Sequence, residues 1–179
     1  MKRNDFLKLT GAIGTAIIAV PTSLMAGTRK IINDLKPKIV RKDEGKIVNV
    51  IGDIQTFKLT GKDTNGLFTL IEEENEPGTE IPPHVHENED EVFKVLEGEM
   101  ELTVGEKTTI LKAGDLAFGP RGIPHSWKII GDSKAKVILS VFPAGIEDMF
   151  EELGELPPGP PNFPKVAEIC GRYGIKFIQ

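Results

Sequence analysis

Residues Gly78 to Gly98, GTEIPPHVHENEDEVFKVLEG, and Gly114 to Trp127, GDLAFGPRGIPHSW, hold all three histidines of this 179-residue chain: His84, His86 and His125. Histidines used for packing or as solvated groups would scatter. Here two are separated by one residue and the third follows a Gly/Pro-rich turn, the pattern of a ligand set. Successive side chains of a β-strand alternate faces, so His84 and His86 project together with Val85 opposite. Glu91 lies at the wrong parity for the same strand, so the acidic run Glu87-Asn88-Glu89-Asp90 has to turn or bulge before a new strand begins. That turn brings Glu91 back beside the pair and leaves Glu89 and Asp90 pointing to solvent. His125 has to arrive from a distant strand. Neutral imidazoles and a carboxylate suit Fe, Mn, Ni, Cu or Zn, so His84, His86, Glu91 and His125 are read as ligands of one divalent transition metal ion with coordination positions left open.

With Gly78-x5-His84-x-His86-x4-Glu91-x6-Gly98 followed by Gly114-x5-Pro120-x-Gly122-x2-His125, the chain resembles the cupin family. The family usually has Asn where this chain has Ile129, a departure that removes a polar neighbour and leaves the four ligands intact. The resemblance implies an all-β fold, a single cupin barrel (double-stranded β-helix, jelly-roll) over residues 46–143 with a metal at its centre. The tail, with PAG after the last strand and RYGIKFI further on, is similar to small single-domain cupins resembling quercetin dioxygenase. That implies a metal-dependent dioxygenase acting on a small organic substrate, with Glu91 as ligand and as catalytic base. The same site used as a Lewis acid would serve an isomerase, epimerase or lyase without a redox step. A non-catalytic protein binding a sugar or aromatic acid is a third class, and a homodimer is compatible with each.

Outward from these motifs the hydrophobic period is two. Val48 to Ile51, Phe57 to Leu59 and Leu67 to Glu72 read as short strands, with Asn65-Gly66 as a hairpin signal. Val92 to Leu96, Met100 to Val104, Thr108 to Leu111, Leu116 to Phe118, Trp127 to Ile130 and Lys136 to Phe142 continue the rhythm of a sandwich or barrel. Trp127 and Ile129 share the parity of His125, and Phe93 and Val95 that of Glu91. Phe93, Trp127 and Ile129 are therefore the expected wall of an apolar, aromatic-edged substrate pocket. Helical spacing occurs at Ile146, Met149, Phe150 and Leu153, and again at Val166, Ile169, Cys170 and Tyr173. These two short amphipathic helices form a C-terminal tail, residues 144–179, that either covers the barrel mouth or packs on the outer sheet face. Cys170, the one cysteine, reads as a small buried hydrophobe rather than a thiol catalyst.

A formal net charge of −5 argues against nucleic acid as a partner. Residues 27–45 form a locally basic linker. Residues 1–26 have the order of a signal peptide: a basic head with Lys2, Arg3 and Lys8, an apolar run from Gly11 to Val20 too short to span a bilayer stably, and small residues through Ala26. Arg3-Asn4-Asp5-Phe6-Leu7-Lys8 is similar to a twin-arginine signal with Asn4 at the second arginine, so export to the periplasm is expected by that route or the general secretory one. Mass spectrometry of the protein from its native host should find a mature chain starting close after Ala26 outside the cytoplasm. An intact Met1 start in the cytoplasmic fraction would contradict it.

Overall fold

The computed structural model describes residues 35–178, so the signal-peptide reading of residues 1–26 and the first part of the linker lie outside the described residues. Alternation of apolar and polar residues builds β1 (Lys46–Val50), β2 (Asp53–Leu59), β3 (Thr69–Asn75), β4 (Glu80–His86), β5 (Asp90–Glu97) and β6 (Glu99–Val104). It continues through β7 (Lys107–Lys112), β8 (Leu116–Gly119), β9 (His125–Ile130), β10 (Ala135–Phe142) and β11 (Ile175–Phe177). One sheet has the order β1-β2-β3-β10-β5-β8 and the other β11-β4-β9-β6-β7, with antiparallel neighbours throughout both. Consecutive strands β4 and β5 thus lie in different sheets, as in a jelly-roll. The inward rows of β5 (Phe93, Val95), β10 (Val137, Leu139, Val141), β6 (Met100, Leu102) and β9 (Trp127, Ile129) are buried in one core.

The Asn65-Gly66 signal resolves differently from the expected two-residue hairpin. A helical turn, α1 (Gly61–Thr64), precedes it, started by Thr60, whose backbone N–H donates to Asp63 Oδ2 at 3.0 Å. Asn65 and Gly66, at φ 54° and 78°, then end that turn in the left-handed region. The next strand consequently begins at Thr69 and Leu67 stays 57% exposed.

The tail forms α2 (Ile146–Gly154) and α3 (Phe163–Arg172), which bury Ile146, Met149, Phe150 and Leu153, and Val166, Ile169 and Cys170. Pro164 sits in the first turn of α3 and Asn162 Oδ1 accepts from the Lys165 N–H at 3.3 Å. Glu147 fixes the start of α2: its carboxylate accepts the N–H groups of Gly61 at 2.7 Å and Gly145 at 2.8 Å, and the Thr69 hydroxyl. The tail is not wholly helical. Past α3, Gly174 turns the chain at φ 80° and β11 joins the second sheet beside β4. Upstream of β1, residues 35–45 have no regular structure and are held by Lys58, whose ammonium donates to the carbonyls of Lys42 at 2.7 Å and Glu44 at 2.9 Å.

Gly98, between β5 and β6, has φ 75°, and a Cβ there would lie 2.6 Å from the Lys134 carbonyl oxygen and 2.7 Å from Ala135 Cα. Both obstacles are backbone and cannot swing aside. Gly98→Ala should therefore lower stability by roughly 1–3 kcal/mol in urea or thermal denaturation, from strain and overpacking together. An unchanged midpoint would show that this turn relaxes freely.

Candidate metal centre

His84 and His86 share the inner face of β4, and antiparallel pairing with β9 sets His84 directly opposite His125. Glu91 enters from the facing sheet, at the start of β5. The donor atoms of His84, His86, Glu91 and His125 all lie within 4.8 Å of one another, and all four residues are buried. His125 Nε2 is 2.8 Å and His86 Nε2 3.8 Å from the Glu91 carboxylate. Two turns are locked together to bring this about. Arg121 donates through Nε at 3.0 Å and Nη2 at 2.8 Å to the Asp90 carboxylate, holding that acid down to about pKa 2, and Gly122 N–H donates to the His86 carbonyl at 2.8 Å.

Each imidazole is oriented from behind. His84 Nδ1 lies 2.9 Å from the Pro82 carbonyl, His125 Nδ1 3.3 Å from the Ile123 carbonyl, and His86 Nδ1 3.3 Å from Glu89 Oε2. An acceptor at Nδ1 places the proton there and leaves the Nε2 lone pair facing the other ligands, the tautomer a metal requires. His125 Nε2 is buried without a hydrogen-bond partner: Glu91 Oε2 is close but out of line for one. An unpartnered imidazole nitrogen beside a carboxylate oxygen, with two more imidazoles turned to the same point, is a donor set that fits a divalent metal ion.

The electrostatics favour the ligating forms of His84 and Glu91. Burial, reinforced by the charge of His125, lowers the His84 pKa to about 4, so this imidazole is neutral near pH 7. Burial works to raise Glu91, but the contact with His125 and the charges of His86, His125 and His84 outweigh it, and its pKa lies below the ordinary value. Burial likewise pulls His125 down, and the adjacent Glu91 reverses it, leaving the pKa raised. Protons therefore compete with a metal at this imidazole.

Glu89 departs from expectation. It is only 9% exposed and turns inward to His86, while Asp90 stays near the surface with Arg121. The imidazole Nδ1–H of His86 supplies the partner that a buried carboxylate needs.

The site opens into a cavity of about 320 Å³. Phe93 and Trp127 line it, as the strand parity predicts. Ile129 does not: it is buried in the core between the sheets, its backbone paired with Gly78 and Thr79. Met149, Phe150 and Leu153 of α2 and Phe163, Val166 and Cys170 of α3 also line the cavity, so the helices form part of its wall. Burial raises the Cys170 thiol to about 11, consistent with an apolar role. Unanticipated are Asp53, Gln55 and Glu73, which also line the cavity. Their signal was polar residues at core parity: Asp53 and Gln55 alternate inward with Phe57, and Glu73 with Ile71. Inside the run EEEN the central acid reads as solvated.

A cupin domain model matches residues 72–142. The chain is 33% identical over 153 residues to germin-like protein subfamily 2 member 1 of Arabidopsis thaliana, covering 80% of this chain and 68% of that protein. It is 30% identical over 102 residues to a quercetin 2,3-dioxygenase of Bacillus subtilis (strain 168), covering 57% of this chain but 30% of that protein's length. Among solved structures, the polyketide cyclase RemF from Streptomyces resistomycificus matches with a TM-score of 0.51 at 29% identity, over 62% of this chain and 81% of that one. The chain belongs to the cupin superfamily.

Loss of the Glu89 carboxylate frees the His86 ring to turn and to protonate at the wrong nitrogen. Glu89→Ala should weaken metal binding about 10–100-fold, measured by competition with a chelator, with the fold retained by circular dichroism. Unaltered affinity would mean that packing alone orients His86.

Proposed function

We propose that this protein is a metal-dependent dioxygenase of a small hydroxylated organic substrate. The observation that carries this reading is the convergence of three buried imidazoles and a carboxylate on a cavity lined chiefly by apolar side chains. Similarity to a quercetin 2,3-dioxygenase supports the redox assignment. His84, His86 and His125 would hold the ion through Nε2, with Glu91 as the fourth donor. A bound divalent transition ion supplies Lewis acidity toward a hydroxyl or enolate and, where redox-active, electrons toward dioxygen.

The chain's own residues supply the rest. Phe93 and Trp127 form an apolar wall that excludes water and strengthens every charge interaction inside. Glu91 is held in its ionised form beside the site and accepts the proton of a substrate hydroxyl, leaving an electron-rich anion for attack by dioxygen. The glutamate is then restored when that proton passes to the product. Export of the mature chain, as expected from residues 1–26, belongs to the same proposal. The similarity to RemF favours a second reading, a non-redox cupin in which the ion acts only as a Lewis acid.

Oxygen uptake by metal-reconstituted protein, tested against polyphenols, diketones and sugars, discriminates the readings. Substrate turnover without oxygen uptake would point to the isomerase or cyclase class, and tight binding without turnover to a binding protein. Glu91→Gln retains an oxygen donor but cannot take a proton. At full metal occupancy its turnover should fall about 10²–10⁴-fold while substrate still binds. Near-normal rates in the loaded variant would remove the base role.

A further inference from the structure

Away from the metal centre, the inner rows of β2 and β3 set buried polar side chains beside the apolar part of the cavity wall. Asp53, Gln55, Glu73 and Asn75 are 2%, 1%, 1% and 2% exposed. Burying such groups without partners is destabilising, so every hydrogen bond in this cluster matters. Part of it is closed. Asp53 accepts from Gln55 Nε2 at 2.7 Å and from Asn75 Nδ2 at 2.6 Å, and Asn75 Oδ1 accepts the Ile54 N–H at 2.8 Å. The donation to Asp53 fixes the amide orientation of Gln55, since the reversed orientation would set its oxygen against the carboxylate.

What is left over is paired. Gln55 Oε1 and Glu73 Oε2 are buried with no hydrogen-bond partner. Gln55 and Glu73 are direct cross-strand neighbours, and both line the cavity that holds the metal centre. We propose that Gln55 and Glu73 form a recognition pole for a hydroxyl group at the end of the substrate remote from the metal centre. The ligand class is a polyhydroxylated ring compound, uncharged at that remote end. Anionic groups are disfavoured by the Asp53 carboxylate, and a second metal ion by the commitment of both its oxygens to amide donors. Burial, aided by the charges of Asp53 and Glu91, raises the Glu73 pKa well above its ordinary value. Its protonated acid can donate to a hydroxyl oxygen while Gln55 Oε1 accepts the hydroxyl proton. Phe93 and Leu139 pair across β5 and β10, in the row between Val137, the partner of Glu73, and Val141, the partner of Glu91, and give a face for the ring.

This inference deepens the proposed function and rests on it for the metal-facing end only. The test uses metal-loaded protein under anaerobic conditions, with binding read from the fluorescence of Trp127, the single tryptophan, which lines the cavity. Two matched probe pairs share a catechol end and differ in the remote hydroxyl: 3,4-dihydroxybenzyl alcohol against 4-methylcatechol, and 2-(3,4-dihydroxyphenyl)ethanol against 4-ethylcatechol. In at least one pair the hydroxylated probe should bind at least about fivefold tighter. In Gln55→Leu and Glu73→Leu that preference should vanish without a fall in the thermal midpoint of Glu73→Leu, since the variant removes a buried polar group with an unpartnered oxygen. Equal affinities within both wild-type pairs, a preference surviving both leucine variants, or failure of every probe to bind would overturn the proposal. A preserved preference in a protein that consumes no oxygen overturns the dioxygenase reading alone.

Discussion

Across β4 and β9, His84 stands opposite His125, and this antiparallel register sets the geometry on which the site depends. A slip of one residue would turn the histidines of one strand to the other face of the sheet. The register is held at both ends: Gly122 N–H and Arg121 secure the turns beside His86 and Asp90, and further along Gly78 N–H donates to the Ile129 carbonyl and Ile129 N–H to the Thr79 carbonyl. Glu91 then arrives from the facing sheet, so the ligand set also ties the two sheets together.

Most of the site was legible because strand parity, turn glycines and histidine spacing are local properties. His84 and His86 share a face for the same reason that Phe57 and Gln55 do. Helical spacing likewise identified the buried faces of α2 and α3. Parity stops at a turn, however, and the direction of Glu89 depends on how tightly the chain bends after His86. β11 is three residues long, too short for a pattern, and owes its strand to the free edge of β4. Asp53, Gln55 and Glu73 were hidden because charge is ordinarily a sign of solvent, and only the completed barrel shows that their parity is inward. Ile129 was read inward correctly by parity, but facing inward is not the same as facing the cavity.

The cavity thus has two unlike ends. One presents imidazole lone pairs and an ionised carboxylate, the other an amide oxygen and a carboxyl group kept out of water. Sheet topology explains the separation, since β3 and β5 are not neighbours and β10 stands between them with the apolar row Val137, Leu139 and Val141. Polarity at both ends and hydrocarbon in the middle would restrain the proposed ligand in position as well as in orientation.

The docking of β11 ties the metal-facing strand to the mobility of a segment distant in sequence. His84 and His86 pair with Phe177 and Ile175, while Glu87 and Ile178 N–H groups reach the Gly174 and Pro83 carbonyls. With β11 in place, β4 is an interior strand; without it, β4 becomes an edge whose amides open to solvent. Fraying of residues 174–178 and loosening of the imidazole pair are then one cooperative event, and hydrogen exchange along β4 is a measure of how tightly the tail is docked.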